Sequence, residues 1–248
     1  MRIDLNSDLG EGAGADELIM PSITSANVAC GAHAGDEETM RRTIALAKEH
    51  GVAVGAHPGY RDRASFGRVA LDLTRDELLA DLKVQLEAIR GIADAAGVKL
   101  AHVKAHGALY NRGERDDAIA SIVAEAVRRF DADLVLYAPP GSAMERAAKA
   151  LGLRVAREGF ADRAYEPDGT LRSRKLPASV HDDPAVAAAQ AVSIARDHRV
   201  TASDGGTLAV EVDTLCLHGD TPGAPAIARA VHAALAAAGI DVRAAGAR

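Results

Sequence analysis

The chain has 248 residues, enough to bury one large α/β core, so one domain over 1–248 is expected. A net charge of −6, 3% aromatic content and no tryptophan supply neither a basic field nor stacking platforms, which excludes nucleic acid and anionic membranes as partners. The opening Met1-Arg-Ile-Asp-Leu-Asn has no apolar leader core, and no run reaches the ~18 apolar residues of a membrane span, so a cytoplasmic protein is expected.

Strand–turn–helix units follow one another along the chain. The first strand is read over Arg2–Asn6 and the second over Ser25–Ala29, which breaks at Gly31 and presents His33 and Asp36. A helix over Glu37–His50 carries Met40, Thr43, Ile44 and Ala47 on one stripe and stops at Gly51. The third strand, Val52–Ala56, leads into a glycine- and arginine-rich loop, His57–Arg68, of a length usual for functional loops. Thr74-Arg-Asp-Glu77 is a capping box opening a helix to about Ala96, with Leu79, Leu82, Leu86 and Ile89 inward. Then come strand Leu100–Ala105, helix Glu114–Phe130, strand Leu134–Ala138, helix Ser142–Leu151 and strand Leu153–Arg157. A turn at Asp168-Gly169, helix Asp183–His198 and a turn at Asp204-Gly-Gly precede the last strand, Asp213–Leu217, and helix Ala224–Ala238. Seven alternations predict a parallel sheet, better closed as a (β/α)7 barrel than left as an open doubly wound sheet.

Four strand ends carry histidine beside glycine: His33, His57, His106 and His218. Turns ordinarily use Gly, Asn, Asp and Pro, so four histidines at equivalent places point to one site at the C-terminal rim of a barrel. Alternation puts Asp4, Asn6 and Asp8 on one face of the first strand, and His102, Lys104 and His106 on one face of the fourth. An inward Lys104 requires an anion or a carboxylate beside it. His33 with Asp36 and Asp8 suits either a divalent metal or metal-free acid–base hydrolysis, and the sequence does not separate the two. Cys30 and Cys216 form no CxxC and read as small buried filler rather than a disulfide. P-loop, HExxH and G-x-S-x-G patterns are absent.

Several long blocks resemble the LamB/YcsF family. They are Asp4-Leu-Asn-Ser-Asp-Leu-Gly-Glu-Gly, Ser25-Ala-Asn-Val-Ala-Cys-Gly-Ala-His-Ala-Gly-Asp, Gly55-Ala-His-Pro-Gly-Tyr and Phe66-Gly-Arg. His102-Val-Lys-Ala-His-Gly-Ala-Leu-Tyr-Asn, Glu158-Gly-Phe-Ala-Asp-Arg-Ala-Tyr and Cys216-Leu-His-Gly-Asp continue the match in order. Ser7 and Ala105 depart from it, standing where the family usually has cysteine and proline. The resemblance implies a TIM-like barrel related to polysaccharide deacetylases, acting as the A subunit of an ATP-dependent 5-oxoprolinase with subunits B and C. That enzyme opens 5-oxo-L-proline to L-glutamate, with ATP and its Mg2+ held mainly by the partners. Asp8, His33, Lys104 and His106 are the catalytic candidates on this reading. Substrate-binding candidates are Asn6, Glu11, Asn27, Asp36, His57, Arg68, Asn111, Glu158, Asp162, Arg163, His218 and Asp220. Lys104 and His106 are placed at the centre of the chemistry, and as neither supplies much apolar burial, their loss is expected to spare folding. Two rivals remain, a metal-dependent carbohydrate amide deacetylase and a non-catalytic member of the complex.

Overall fold

The computed structural model describes residues 1–245, so the last three residues of the expected 1–248 span lie outside the described residues. Seven parallel strands close into a ring: β1 (Arg2–Leu9), β2 (Ser25–Ala29), β3 (Ala53–His57), β4 (Leu100–Lys104), β5 (Val135–Ala138), β6 (Arg154–Phe160) and, after the short pair β7 (Arg199–Thr201) and β8 (Thr207–Ala209), β9 (Thr214–His218). β1 pairs with β2 on one side and β9 on the other, and those two contacts close the barrel. The open doubly wound alternative is thereby excluded. A two-residue strand, β10 (Asp241–Val242), adds to the start of β1.

Helices α1 (Asp16–Ile19), α2 (Glu37–His50), α3 (Arg75–Ala95), α4 (Gly107–Arg115), α5 (Asp117–Phe130), α6 (Ala143–Ala150), α7 (Pro184–Asp197) and α8 (Ala224–Ala237) follow the strands. Among the described residues no helix is long and apolar enough to cross a membrane. Local chemistry sets the helix limits. The Asp36 side chain accepts from the Thr39 N–H at 2.8 Å to start α2. Thr74 and Glu77 form the expected capping box of α3, whose first inward leucine is Leu78 rather than Leu79. The helix expected over Glu114–Phe130 is instead two. Asp116 has extended backbone, and its carboxylate accepts from the Ala118 and Ile119 N–H groups, so α5 starts afresh there. α4 begins one residue after His106, where His-Gly reads locally as a turn.

The apolar core fills the layer between strands and helices, with Leu5, Leu9, Val28, Val54, Val103, Leu136 and Leu215 facing outward into it. Polar side chains fill much of the ring's interior. Asp4 accepts from Tyr137 Oη at 2.8 Å, Thr214 Oγ1 at 2.6 Å and Ser25 Oγ at 2.8 Å. Above it Asn6 donates to Thr214 Oγ1 at 2.7 Å and Glu158 Oε1 at 3.0 Å, and Asn27 donates to Asn6 Oδ1 at 2.7 Å. Such groups are tolerated without water because each finds a partner.

Candidate active site

Period-2 alternation carries the polar file of β1, Asp4-Asn6-Asp8, up the inside of the barrel to its C-terminal mouth. There Asp8 meets the file of β4. Lys104 Nζ lies 2.9 Å from Asp8 Oδ1, 3.0 Å from Glu158 Oε1 and 3.0 Å from Cys216 Sγ, with the side chain 3% exposed. Burial is the largest single influence and works against the ammonium, but Asp8 and the other groups around Nζ, Glu158 among them, together outweigh it and hold the lysine charged, well above its ordinary range. Burial likewise pushes the Asp8 carboxyl up, and His57 and Lys104 overcome it to hold Asp8 well below the usual carboxylate range. The expected carboxylate partner of Lys104 is therefore present twice over. Cys216 is held as a thiol by burial, and Cys30 is pushed up to about 12 for the same reason; both are free. Neither acts as a nucleophile near neutral pH.

Beside this ion cluster, Glu11, His33, His57 and His106 converge from the ends of β1, β2, β3 and β4. His106 Nδ1 is 3.0 Å from His57 Nε2 and 3.3 Å from Glu11 Oε1. The His33 ring stacks on His106 with centroids 3.7 Å apart, and its Nε2 is 3.4 Å from Glu11 Oε1. Burial depresses the His33 imidazole to about 4. The loop over 58–74 closes this cluster from above. Phe66 has a left-handed backbone at φ 56°, and its carbonyl accepts from His106 Nε2 at 2.9 Å. Strain of that kind in a non-glycine residue costs on the order of 1–3 kcal/mol and persists where the surroundings enforce it. Gly67 follows at φ 63°, and a Cβ there would sit 2.8 Å from His33 Cβ. Gln85 of α3 anchors the loop by accepting from the Gly59 N–H at 3.0 Å and donating to its carbonyl at 2.9 Å.

His218 takes the far side of the mouth, its backbone N–H donating to Asp162 at 2.9 Å and its Nδ1 lying 3.0 Å from the same carboxylate. Burial pushes the Asp162 carboxyl up, and His218 more than offsets that, holding it at about 2. His218 also groups with Asp8 and Cys216, so Asn6, Asp8, His33, His57, Lys104, His106 and His218 form one continuous cluster. Arg163 is spent on structure, donating to the Ser179 carbonyl at 3.1 Å and the Arg172 carbonyl at 2.6 Å. Arg68 lies 5.0 Å from the Phe66 ring centre and pairs with Asp220, which Arg174 also reaches at 3.5 Å.

Asp36 and Asn111 are not brought into this cluster. Asp36 is exposed and serves as the cap of α2, leaving Glu11 as the carboxylate beside His33. Asn111 is exposed on α4 and lines a separate cavity of about 230 Å³ that reaches Glu158, together with the acidic Glu114, Asp168 and Glu211. The spacing of His102 and His106, four apart, makes no joint site. His102 lies deeper in the barrel, stacked on Tyr137 with centroids 4.2 Å apart, and its Nε2 donates to Asn27 Oδ1 at 2.7 Å. Sequence reasoning missed the Phe66 carbonyl, Gln85 and the Lys104–Cys216 contact. Only the Phe66-Gly67-Arg68 motif signalled any of them.

His102 gives the barrel a pH dependence. Burial first, and then Lys104, depress its imidazole from 6.5 to about 3, so the folded protein keeps it neutral. The unfolded chain takes up that proton near its ordinary value, so stability is complete above about pH 6.5 and falls through the window down to about 3, by about 1.4 kcal/mol per pH unit. His102→Gln is expected to flatten the fall across that window in urea melts, and an unchanged slope would assign it to other groups.

Comparison with known proteins agrees with the expected kinship. The model of the LamB/YcsF family matches residues 3–248. The A subunit of a 5-oxoprolinase from Symbiobacterium thermophilum is 54% identical, over 99% of this chain and 96% of the relative. The crystal structure of a lactam utilization protein from Thermus thermophilus is 45% identical and superposes with a TM-score of 0.93, covering 99% of this chain and all of that one. A peptidoglycan deacetylase from Bacillus subtilis shares the fold at a TM-score of 0.51 and 13% identity, over 98% of this chain and 86% of that one.

Proposed function

Since the chain belongs to the LamB/YcsF family, we propose that it is the A subunit of an ATP-dependent 5-oxoprolinase, opening 5-oxo-L-proline to L-glutamate with subunits B and C. One observation carries the chemistry: a buried ammonium, Lys104, fixed at the barrel mouth beside Asp8 and next to the histidine cluster. A five-membered lactam is an unreactive amide. Transfer of the γ-phosphoryl of ATP to its C5 carbonyl oxygen makes that oxygen a leaving group and C5 an electrophile. Water then adds at C5, the C5–N bond breaks, the nitrogen takes up a proton, and the phosphate is lost to a second water. The sum is 5-oxoproline, ATP and two waters going to glutamate, ADP and phosphate.

In this scheme Lys104 stabilises the negative charge of the phosphoryl group as it is transferred to the lactam carbonyl oxygen, an effect far larger in a dry site than in water. His106 cannot take the general-base role expected of it, since its Nε2 donates to the Phe66 carbonyl and its Nδ1 faces His57. His218, oriented by Asp162 through Nδ1, serves as general base toward the attacking water through Nε2. Arg68 and Arg174 share one carboxylate, Asp220, and so leave net positive charge on the rim for the substrate's own carboxylate. The absence of a P-loop supports ATP and its Mg2+ being handled mainly by the partner subunits. The density of titratable groups at the mouth supports a catalytic rather than a scaffolding role.

The test is glutamate formation from 5-oxoproline and ATP by the purified chain, alone and mixed with subunits B and C. Full turnover is expected only from the mixture, and negligible turnover from the chain alone. ATP-dependent turnover by the lone chain would overturn the division of labour, and no turnover from the mixture would overturn the assignment itself.

A further inference from the structure

Hydrogen-bond direction decides where the protons of the histidine cluster lie. His57 Nδ1 is 2.8 Å from the Lys104 carbonyl and His106 Nε2 is 2.9 Å from the Phe66 carbonyl. A carbonyl only accepts, so these outer nitrogens carry hydrogen and donate. The inner nitrogens, His57 Nε2 and His106 Nδ1, therefore turn bare lone pairs toward each other across 3.0 Å in the neutral rings. Glu11 Oε1, another lone-pair atom, lies 3.3 Å from one and 3.8 Å from the other and has no hydrogen-bond donor. His33 is 1% exposed, neither of its ring nitrogens has a hydrogen-bond partner, and its Nε2 faces the same oxygen at 3.4 Å. A proton on His57 Nε2, which also faces Asp8 Oδ2 at 3.4 Å, would settle the His57–His106 pair alone, leaving Glu11 Oε1 and His33 unsatisfied in a buried place. Groups of this kind are rarely left so.

A cation meets Glu11 Oε1 and one nitrogen of each ring together once the His33 ring turns out of its stack on His106, since an imidazole coordinates in its own plane. The four donor atoms lie within 4.8 Å of one another. A tetrahedral ion with donors ~2.0–2.1 Å away requires them to be about 3.3 Å apart. Three imidazole nitrogens and one carboxylate oxygen suit zinc and its transition-metal neighbours, whereas calcium and magnesium call for oxygen sets. Histidines that donate their outer N–H to backbone carbonyls are also the usual arrangement behind a bound metal, since that fixes the inner nitrogen as the ligand. We propose that Glu11, His33, His57 and His106 together bind one zinc-class divalent cation, pinning the loops after β1 and β2 to the ends of β3 and β4. The proposal rests on hydrogen-bond geometry alone, so although it uses residues of the same barrel mouth it holds whether or not the 5-oxoprolinase reading does. When bound, the ion supplies Lewis acidity on the far side of Asp8 from Lys104, since Asp8 touches both His57 and the ammonium.

Metal content of the purified full chain, measured by inductively coupled plasma mass spectrometry, is the first test, with about one equivalent per chain expected. The chelator-stripped wild-type chain is then titrated with ZnCl2 by calorimetry and thermal melting, and with CoCl2 by visible absorption. Saturable 1:1 uptake, a rise in Tm of several degrees and tetrahedral cobalt bands are expected. Glu11→Gln and His33→Asn, checked by circular dichroism for folding, are each expected to lose at least tenfold in zinc affinity. A folded, stripped wild-type chain that takes up no zinc from a large excess would overturn the proposal. So would folded variants that bind zinc as tightly as the wild type, because the ion would then lie elsewhere.

Discussion

Replacing Lys104 with methionine is expected to lower turnover of the reconstituted three-subunit enzyme by ~10²-fold or more, the usual scale for removing a group that stabilises developing charge. It is also expected to lower the melting temperature of the chain by about 10 °C. Methionine keeps most of the volume, so the effect is electrostatic and no cavity is involved. With the ammonium gone, Asp8 and Glu158, which both reach Nζ within 3.0 Å, are left facing each other inside the barrel. Removing one partner of a buried ion pair costs ~3–5 kcal/mol. At ~2–4 °C per kcal/mol for a chain of this size, that gives the stated shift. The sequence-based expectation that folding is spared does not hold for Lys104, because the lysine is 3% exposed and counters two carboxylates. Turnover per folded molecule and Tm, measured on the same preparation, separate the two roles. A fall in Tm with turnover per folded molecule intact would make Lys104 a brace and move the chemistry to the histidine side.

The Gly55→Ala substitution is expected to destabilise the fold by about 3 kcal/mol or more, although the site is in a strand and its backbone needs no left-handed conformation. A Cβ at this position falls inside the van der Waals envelope of the His102 ring. The β3–β4 ladder shifts register between Val54 and Gly55, and Gly55 is the residue paired with His102. Glycine inside a strand commonly marks such a close approach. His102 cannot retreat, since it is fully buried, stacked on Tyr137 and held by Asn27. Overpacking of a rigid core costs ~1–3 kcal/mol and occasionally more, and the polar ring leaves little room for repacking. Adding His102→Ala should recover part of the loss, with a coupling of at least ~1 kcal/mol in a double-mutant cycle by urea denaturation. A Gly55→Ala protein as stable as the wild type would show that the ring moves.

Much of the fold is legible along the chain because its signals are local. The alternation of Asp4, Asn6 and Asp8 against Ile3 and Leu5, the Thr74 capping box and the glycine after α2 act within a few residues, and each appears as expected. The four histidines at glycine-containing strand ends also reveal that a site exists, since parallel strands in a closed ring must bring their C-terminal ends to one rim. What the rim does with each residue depends on approaches between segments far apart in the chain. Asp36 and Glu11 are both carboxylates near a strand end. The helix amides claim Asp36, while Glu11 turns in between three imidazoles from β2, β3 and β4. His102 and His106 share a face of the same β4 file, yet two residue pairs along the barrel axis separate a packed interior ring from a member of the histidine cluster at the mouth. The Phe66 carbonyl reaches His106 only because the loop after β3 folds back over β4, forty residues on. The barrel, its polar lining and the residues at its mouth are written in the chain, since strand period and helix caps are short-range effects. Which carboxylate meets which base is settled by ring closure and loop packing, where hydrogen-bond direction and burial act across a hundred residues or more.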